Sequence, residues 1–352
     1  MKKLALYLLV VLFAIPVMTE AKVWRVNNNP GVVADFTTLD AAMAGRLTGD
    51  TLHLEPSATP YEVSGNILVP NNYVADFVTI IGNGYFLDNS PNPSGNPGLQ
   101  QNVLQSIIHT ASGNINVNQR FKFIGVVFQS PVSLSLFGSN STSNVYFTSC
   151  LFMSTLIASV TNMDHVEFLK NYFASTVTMS PNLLSVFTFE NNIVLDNFFI
   201  YGVNTADQLT IRNNVFTAQY FCSDAYWANN IFKTSTGTFN RCVLKNNIFG
   251  ATQFSTGADF ELNNQWGVDM STVFQSTQTN SDKYFQLAPG SPAIGAGVPN
   301  GSTAVDCGAF GGPNPYKLSG IPAIPSIYEL QVPAIIISGS NMQINIKSRS
   351  NN

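Results

Sequence analysis

Apolar and polar positions alternate in a short block that recurs along the middle of the chain. In each block the first, third and eighth residues are mainly apolar, whereas the second and fourth are mixed or polar. A period of two predicts a β-strand with one buried and one exposed face. Copies about 20 residues apart are typical of a solenoid, in which each repeat adds one coil. The blocks begin at Phe121, Val145, Val166, Phe187, Leu209, Ala225 and Cys242, with a degenerate copy from Phe260.

Asparagine pairs occupy the fifth and sixth positions of the later blocks. Asparagine tolerates the left-handed backbone conformation and bonds readily to nearby backbone, so a pair suits a tight bend after the strand. If the bends stack, one asparagine per coil can bond to the next coil and satisfy buried amides as a ladder. The pairs are Asn191–Asn192, Asn213–Asn214, Asn229–Asn230 and Asn246–Asn247.

The strand pattern and the asparagine pairs together resemble the right-handed parallel β-helix of the pectate-lyase-like superfamily. In that superfamily an asparagine ladder at one bend and aromatic stacks in the core recur. The resemblance implies an all-β fold, a single-stranded right-handed parallel β-helix, over residues 22–315. Capping strands or a tail are then expected over residues 316–352. The repeat is specific for fold and says little about activity.

A helix is predicted before the first coils. Phe36, Leu39, Met43 and Leu47 fall on one face of an amphipathic helix running from Phe36 to Leu47. Its start carries a weak capping box, Thr37 with Asp40. A helix at the open end of a solenoid covers strand edges and apolar rings, so we expect it to be a cap.

The first 21 residues are typical of a bacterial secretory signal peptide. Lys2 and Lys3 precede an apolar run from Leu4 to Val17, and the small residues Thr19 and Ala21 follow. A membrane anchor fits less well because the run is short, and we expect no membrane span once the signal is removed. The predicted location is therefore secreted, either extracellular or periplasmic.

Two further features mark the C-terminal part. The segments FQLAPGSPAIGAG from Phe285 and VDCGAFGG from Val305 resemble the closing segment of secreted bacterial β-helix proteins, where such runs end the stack. Ile327 to Val332 and Met342 to Ile346 then predict two final strands, as a cap or a small flap.

Composition narrows the function classes. Of the 352 residues 45% are apolar and only 10% are charged, with a net charge of −4. There is no basic patch of the kind that nucleic acid requires, so no nucleic-acid partner is expected. The four cysteines fit buried apolar filler. Cys222 and Cys242 lie about one coil apart, which allows a disulfide, although their offset columns argue against one.

One segment suggests a cation site. Asp164 and His165 resemble the Asp-His segment of pectate lyases, whose aspartate binds calcium. The resemblance would make Asp164 and Glu167 calcium ligands, with Arg212 as the base of a lyase. Alternatively, Asp164 ends a turn and Glu167 lies on a solvated strand face. The chain lacks the partner motifs of such a site, and calcium is expected only if the protein is a lyase.

Glu190 and Arg212 occupy one outward column on consecutive coils. With Asp164 they are the candidate catalytic residues, whereas Asp164 and Glu167 are the candidate metal ligands. A cross-strand ion pair explains Glu190 and Arg212 equally simply.

Two functions therefore compete. The first is a non-catalytic exported protein that binds polysaccharide or a cell-surface glycan, or that acts as a surface or adhesive module. The second is a polysaccharide lyase or glycoside hydrolase acting on uronate-containing glycans. Exposed tyrosines that can stack on sugar rings, or pack laterally against loops, are consistent with either function. These tyrosines are Tyr146, Tyr201, Tyr220 and Tyr226.

Overall fold

The computed structural model describes most of the chain, and it shows an all-β parallel β-helix with one short α-helix near the N-terminus of the described part. The predicted fold class is confirmed. No helix among these residues has the length and apolar character needed to cross a membrane. The described residues are 21–47, 49–67, 77–87, 103–117, 120–135, 144–159, 165–180, 186–201, 208–234, 237–275, 281–333, 335, 338–339 and 341–350.

The alternating blocks form the longest sheet, which we call sheet A. Its strands pair in parallel, each with the equivalent strand of the next coil, so equivalent positions of successive blocks stand beside one another. The strands in order across the sheet are Val23–Val26, Thr51–Leu54, Val78–Ile81, Phe121–Ile124, Asn144–Thr148, His165–Leu169, Val186–Glu190, Gln208–Arg212, Ala225–Ala228, Val243–Lys245 and Phe260–Leu262.

Two further parallel sheets complete each coil. Sheet B follows sheet A after the bend, and sheet C follows sheet B. Sheet B contains Tyr61–Glu62, Ile107–His109, Val127–Phe128, Leu151–Phe152, Tyr172–Phe173, Ile193–Val194, Val215–Phe216, Ile231–Phe232 and Ile248–Phe249. Sheet C contains Asn66–Ile67, Ile115–Val117, Val132–Ser135, Leu156–Ser159, Val177–Met179, Phe198–Ile200, Tyr220–Ser223 and Gly237–Asn240.

The core is a set of aromatic columns. The rings of Phe123, Phe147 and Phe168 stack at centroid separations of 5.1 Å, and all three are fully buried. The cysteines are also buried, as free thiols, which agrees with the filler interpretation. Burial raises the pKa of the Cys150 and Cys307 thiols to about 12.

The bend between sheets A and B has the predicted conformation. The fifth block position has a positive φ in every described coil from residue 121 onward, between 54° and 63°. Its residues are Gly125, Ser149, Lys170, Asn191, Asn213, Asn229, Asn246 and Asn263.

The asparagine ladder is confirmed at the sixth position. The side-chain carbonyl of Asn192 accepts from the backbone N–H of Asn171 at 2.8 Å and from its amide at 3.0 Å. The Asn192 amide in turn donates to the carbonyl of Phe168 and to Oδ1 of Asn214. The ladder consists of Asn171, Asn192, Asn214, Asn230, Asn247 and Asn264.

The N-terminal helix is shorter than predicted. It covers Leu39–Gly45, its N-cap is Thr38, and Leu47 is exposed, so the predicted bounds and the Thr37 cap were wrong. Phe36 lies outside the helix because its extended backbone bridges to Val26. The Phe36 ring instead covers Gly45, where an added Cβ would lie 2.8 Å from it.

The closing segment runs back along the solenoid and does not end the stack. The described residues 273–275 and 281–324, which we call the strap, cover the outward side chains of sheet B. The strap and its approach contain three short 3₁₀ helices, Met270–Thr272, Asp282–Phe285 and Leu318–Gly320. Strap residues packed there include Val273, Phe274, Phe285, Ala293, Cys307, Ala309 and Tyr316.

The left-handed bend residues hold the strap. Asn246 donates to the Ala296 carbonyl at 2.8 Å, and Asn191 donates to the Gly311 carbonyl at 2.7 Å. Residues later in the strap thus contact coils that come earlier in the chain. After the strap, Ser326–Gln331 and Asn345–Arg349 form an antiparallel pair, which confirms the two final strands with shifted bounds.

Candidate functional site

A groove of about 680 Å³ lies between the outer face of sheet A and the end of the strap. Sheet A supplies its floor and the strap supplies one wall. The lining residues are Phe77, Ile81, Lys122, Ile124, Tyr146, Thr148, Ser149, Glu167, Leu169, Lys170, Lys317, Ile321, Pro322, Ala323 and Ile324.

Close backbone packing brings the strap to this position. Gly320 has a positive φ, and an added Cβ there would lie 2.3 Å from the Tyr85 ring and 2.6 Å from the Ser149 carbonyl oxygen. Only glycine allows this approach without displacing buried neighbours. The strap can therefore end beside sheet A and form the groove wall.

The groove floor combines aromatic and apolar side chains. The rings of Phe77 and Tyr146 lie 5.4 Å apart, and Ile124 and Leu169 flank them along the next outward column. Burial raises the pKa of the Tyr146 hydroxyl, and the nearby Glu167 carboxylate raises it further. Such a surface can pack against the apolar face of a sugar ring.

Glu167 stands in a cluster of titratable groups. Burial raises the pKa of its carboxyl, and Glu190 raises it as well, whereas His165 and Lys122 act in the opposite direction. The Nε2 atom of His165 lies 3.6 Å from a Glu167 carboxylate oxygen, and its ring lies 5.2 Å from the Tyr146 ring. From the sequence, His165 was named only as part of the Asp-His segment and was given no role, although it lies two residues before Glu167 on one strand face.

Lysines supply the positive charge of the groove. Lys122, Lys170 and Lys317 all line it, against the single carboxylate of Glu167. Burial lowers the pKa of the Lys170 ammonium, and the neighbouring Lys317 lowers it further. Among the described residues Lys170 forms no ion pair with a carboxylate. The arrangement favours an anionic group in the groove, which would relieve the repulsion between the two ammonium groups.

Glu190 and Arg212 form the cross-strand ion pair that sequence reasoning allowed. The Nε of Arg212 donates to Oε1 of Glu190 at 2.6 Å. Neither residue lines the groove, but Arg212 lies beside Tyr226 in a second pocket of about 230 Å³, against strap residues Val298–Asn300. The outer face of sheet A thus carries Glu167, Glu190 and Arg212 on three consecutive coils.

The predicted calcium site remains untested at its main residue. Asp164 lies outside the described residues, so its relation to Glu167 stays a prediction. Within the described part of the chain no group of three or more His, Cys, Asp or Glu side chains is placed to hold a metal ion.

The four tyrosines separate into different environments. Tyr146 lines the groove and Tyr226 the second pocket, whereas Tyr201 is exposed at the end of a sheet C strand. The stacking role suggested for Tyr220 was wrong, because its side chain is buried against Phe232 at 4.4 Å.

Comparison of the chain with models of protein families finds no match, and comparison with curated proteins finds none either.

Proposed function

We propose that the protein is an exported β-helix protein of the pectate-lyase-like kind that binds an acidic polysaccharide in the groove. Export is supported by Lys2 and Lys3 ahead of the apolar run from Leu4 to Val17. Binding without a catalysed reaction accounts for most of the side chains that line the groove, which are aromatic, apolar or lysine.

One observation carries the binding proposal: an aromatic floor and converging lysines occur in the same groove. Its volume of about 680 Å³ suits several sugar units and falls within the range of ligand sites. Tyr146 and Phe77 offer the apolar contact, and Lys122 and Lys170 offer charge-assisted hydrogen bonds to a carboxylate or sulfate. A neutral glycan would leave Lys170, which pairs with no carboxylate among the described residues, without an opposite charge.

Binding measurements on the purified protein test this proposal. We would titrate polygalacturonate, alginate, hyaluronan and the neutral polymer dextran by calorimetry, using Lys170→Ala and Tyr146→Ala as groove variants. Lys233→Ala is the matched control, since Lys233 lies outside the groove beside Tyr284. We expect acidic polymers to bind and Lys170→Ala to weaken them about tenfold. Absence of binding to every acidic polymer, or equal effects of Lys170→Ala and Lys233→Ala, would refute the proposal.

A second candidate function is a lyase or hydrolase, and the environment of Glu167 favours it. A carboxyl whose pKa is raised by burial and that lies beside a histidine is a typical arrangement for proton transfer. Incubation of acidic polysaccharides with calcium or with chelator, followed by assays for unsaturated products and new reducing ends, tests it. Product formation that Glu167→Gln abolishes would establish catalysis. If none of the polysaccharides yields a product, binding remains as the proposed function.

A further inference from the structure

Cations recur on every second coil along the outer face of sheet A and its adjoining bend. Lys122 lies on the strand Phe121–Ile124, and Lys170 follows the strand two coils later. Arg212 lies two coils beyond Lys170, and Lys245 lies two coils beyond Arg212. All four side chains are at least partly exposed. Lys122 and Lys170 hold the second and fifth block positions, whereas Arg212 and Lys245 share the fourth, so the recurrence becomes visible only in the register of the sheet.

The intervening coils carry different side chains at this surface. Tyr146 and Tyr226 stand on two of them, each between a pair of cation-bearing coils. The third carries Thr188 and the carboxylate of Glu190, which binds Arg212. The Glu190 coil has no cation among its described residues at this surface, so an acidic group opposite every coil would find no positive partner there.

The spacing sets the period of the ligand. Neighbouring strands are about 4.8 Å apart, so cations on alternate coils are separated by about 10 Å along the solenoid axis. A pyranose unit in an extended glycan is similar in length to one such strand separation. A cation on every second coil therefore matches a charge on every second sugar.

The geometry points to an acidic polysaccharide with a two-sugar repeat, in which an acidic unit alternates with an uncharged one. The chain runs along the solenoid axis over the outer face of sheet A. Its acidic units face Lys122, Lys170, Arg212 and Lys245, and uncharged units lie over Tyr146 and Tyr226. This inference rests on the proposed function and names the class of its ligand. From the coil of Lys122 to that of Lys245 the site spans six strand separations, about 29 Å.

Defined oligosaccharides test the inference. Hyaluronan and unsulfated chondroitin octasaccharides carry a carboxylate on every second sugar, whereas an octagalacturonide carries one on each sugar. We expect one of the alternating octasaccharides to bind at least threefold more tightly than the octagalacturonide, although it bears half the charge. We also expect an octasaccharide to bind at least tenfold more tightly than a tetrasaccharide of the same type, because only the longer chain reaches from Lys122 to Lys245.

A substitution at the far end of the site supplies the control. Lys245→Ala should weaken the alternating octasaccharide about threefold and leave the tetrasaccharide unchanged if the shorter chain occupies the groove. The octagalacturonide could instead bind more tightly than both alternating chains and lose this binding in Lys170→Ala. That result would overturn the spacing inference and leave the proposed function in place. If none of the oligosaccharides shows binding that Lys170→Ala weakens, both the spacing inference and the proposed function are overturned.

Discussion

At the residue scale, the inward aromatic column gives the clearest relation between one side chain and stability. Phe189 is fully buried, and its ring lies 4.8 Å from that of Phe198 and 5.5 Å from that of Phe173. Its neighbour Thr188 points outward from the same strand and is partly exposed. The alternation read from the sequence therefore corresponds to a physical inside and outside.

Replacing Phe189 with alanine should open a cavity between coils. We expect a loss of about 3–5 kcal/mol in the free energy of unfolding, because neighbouring rings can collapse only partly into the space. Urea denaturation followed by circular dichroism measures it. Thr188→Ala is the matched control and should change stability by less than about 0.5 kcal/mol. A loss below about 1 kcal/mol for Phe189→Ala would contradict the buried position.

Glu167 makes a pH-dependent contribution of defined sign. Burial raises the pKa of its carboxyl above the ordinary value, so the folded state binds protons more tightly than the unfolded state. The stabilisation that this provides is fully present below the unfolded pKa, and it is lost as pH rises through the folded pKa.

Glu167→Gln should therefore raise the urea midpoint relative to the wild type near neutral pH. The difference should shrink as pH falls through the raised folded pKa, and below about 4 the wild-type carboxyl is protonated in both states. Urea midpoints from pH 3 to pH 8 check it, with Glu329→Gln on the terminal hairpin as the control. A difference independent of pH, or a lower midpoint at neutral pH, would disprove this account.

At the element scale, the bend after sheet A has two roles. The sixth-position asparagines form the internal ladder, whereas the fifth-position residues adopt the left-handed conformation and face the strap. The sequence predicted the ladder of the sixth-position asparagines and the left-handed conformation of the fifth-position residues. It could not show the strap bonds, because Asn191 and Gly311 lie 120 residues apart.

A pair of substitutions at Asn246 separates conformation from strap binding. Asn246→Gly keeps the left-handed backbone accessible but loses the bond to Ala296, and should cost about 0.5–1.5 kcal/mol. Asn246→Val adds the strain of a β-branched residue at positive φ, about 1–3 kcal/mol more. Urea denaturation of both variants measures the difference. Equal stabilities would show that the bend does not require this conformation.

The N-terminal helix shows how tertiary contacts shorten a predicted element. The apolar period continued through Phe36 and Leu47, but Phe36 bridges to Val26 in extended conformation. Pairing with a strand satisfies the Phe36 backbone better than a further helical turn, so the helix begins at Leu39.

At the scale of the whole molecule, a buried polar network ties the strap to the solenoid. The hydroxyls of Tyr85 and Tyr316 lie 2.5 Å apart, and Tyr316 donates to Asp282 at 3.0 Å. Burial raises the pKa of the Tyr316 hydroxyl, and the Asp282 carboxylate raises it further. This network holds the segment that ends in the groove wall.

Tyr316→Phe should loosen the strap. We expect a loss of about 1–3 kcal/mol, since a buried hydroxyl that contacts a carboxylate and a second tyrosine disappears. Faster proteolytic cleavage within the strap should accompany this loss. Tyr284→Phe removes a less buried hydroxyl bond to Lys233 and is the control. Unchanged stability and cleavage in Tyr316→Phe would show that apolar packing alone holds the strap.

The same long-range arrangement decides the candidate site. Glu167, Glu190 and Arg212 could be assigned to one outward face from block positions, and the structure brings them there. The groove could not be predicted, since its wall comes from strap residues more than 140 positions beyond Glu167. The Lys170–Lys317 pair is hidden from sequence reasoning for the same reason.

The sequence by itself determined the coil of this protein: the strand period, the inward aromatic columns, the left-handed bend and the asparagine ladder. These features repeat because each coil contacts only its neighbours, so local pattern and register contain the necessary information. Tertiary structure alone decided where the strap lies and which charges share the groove. Those outcomes depend on contacts between segments far apart in the chain, which no local period encodes.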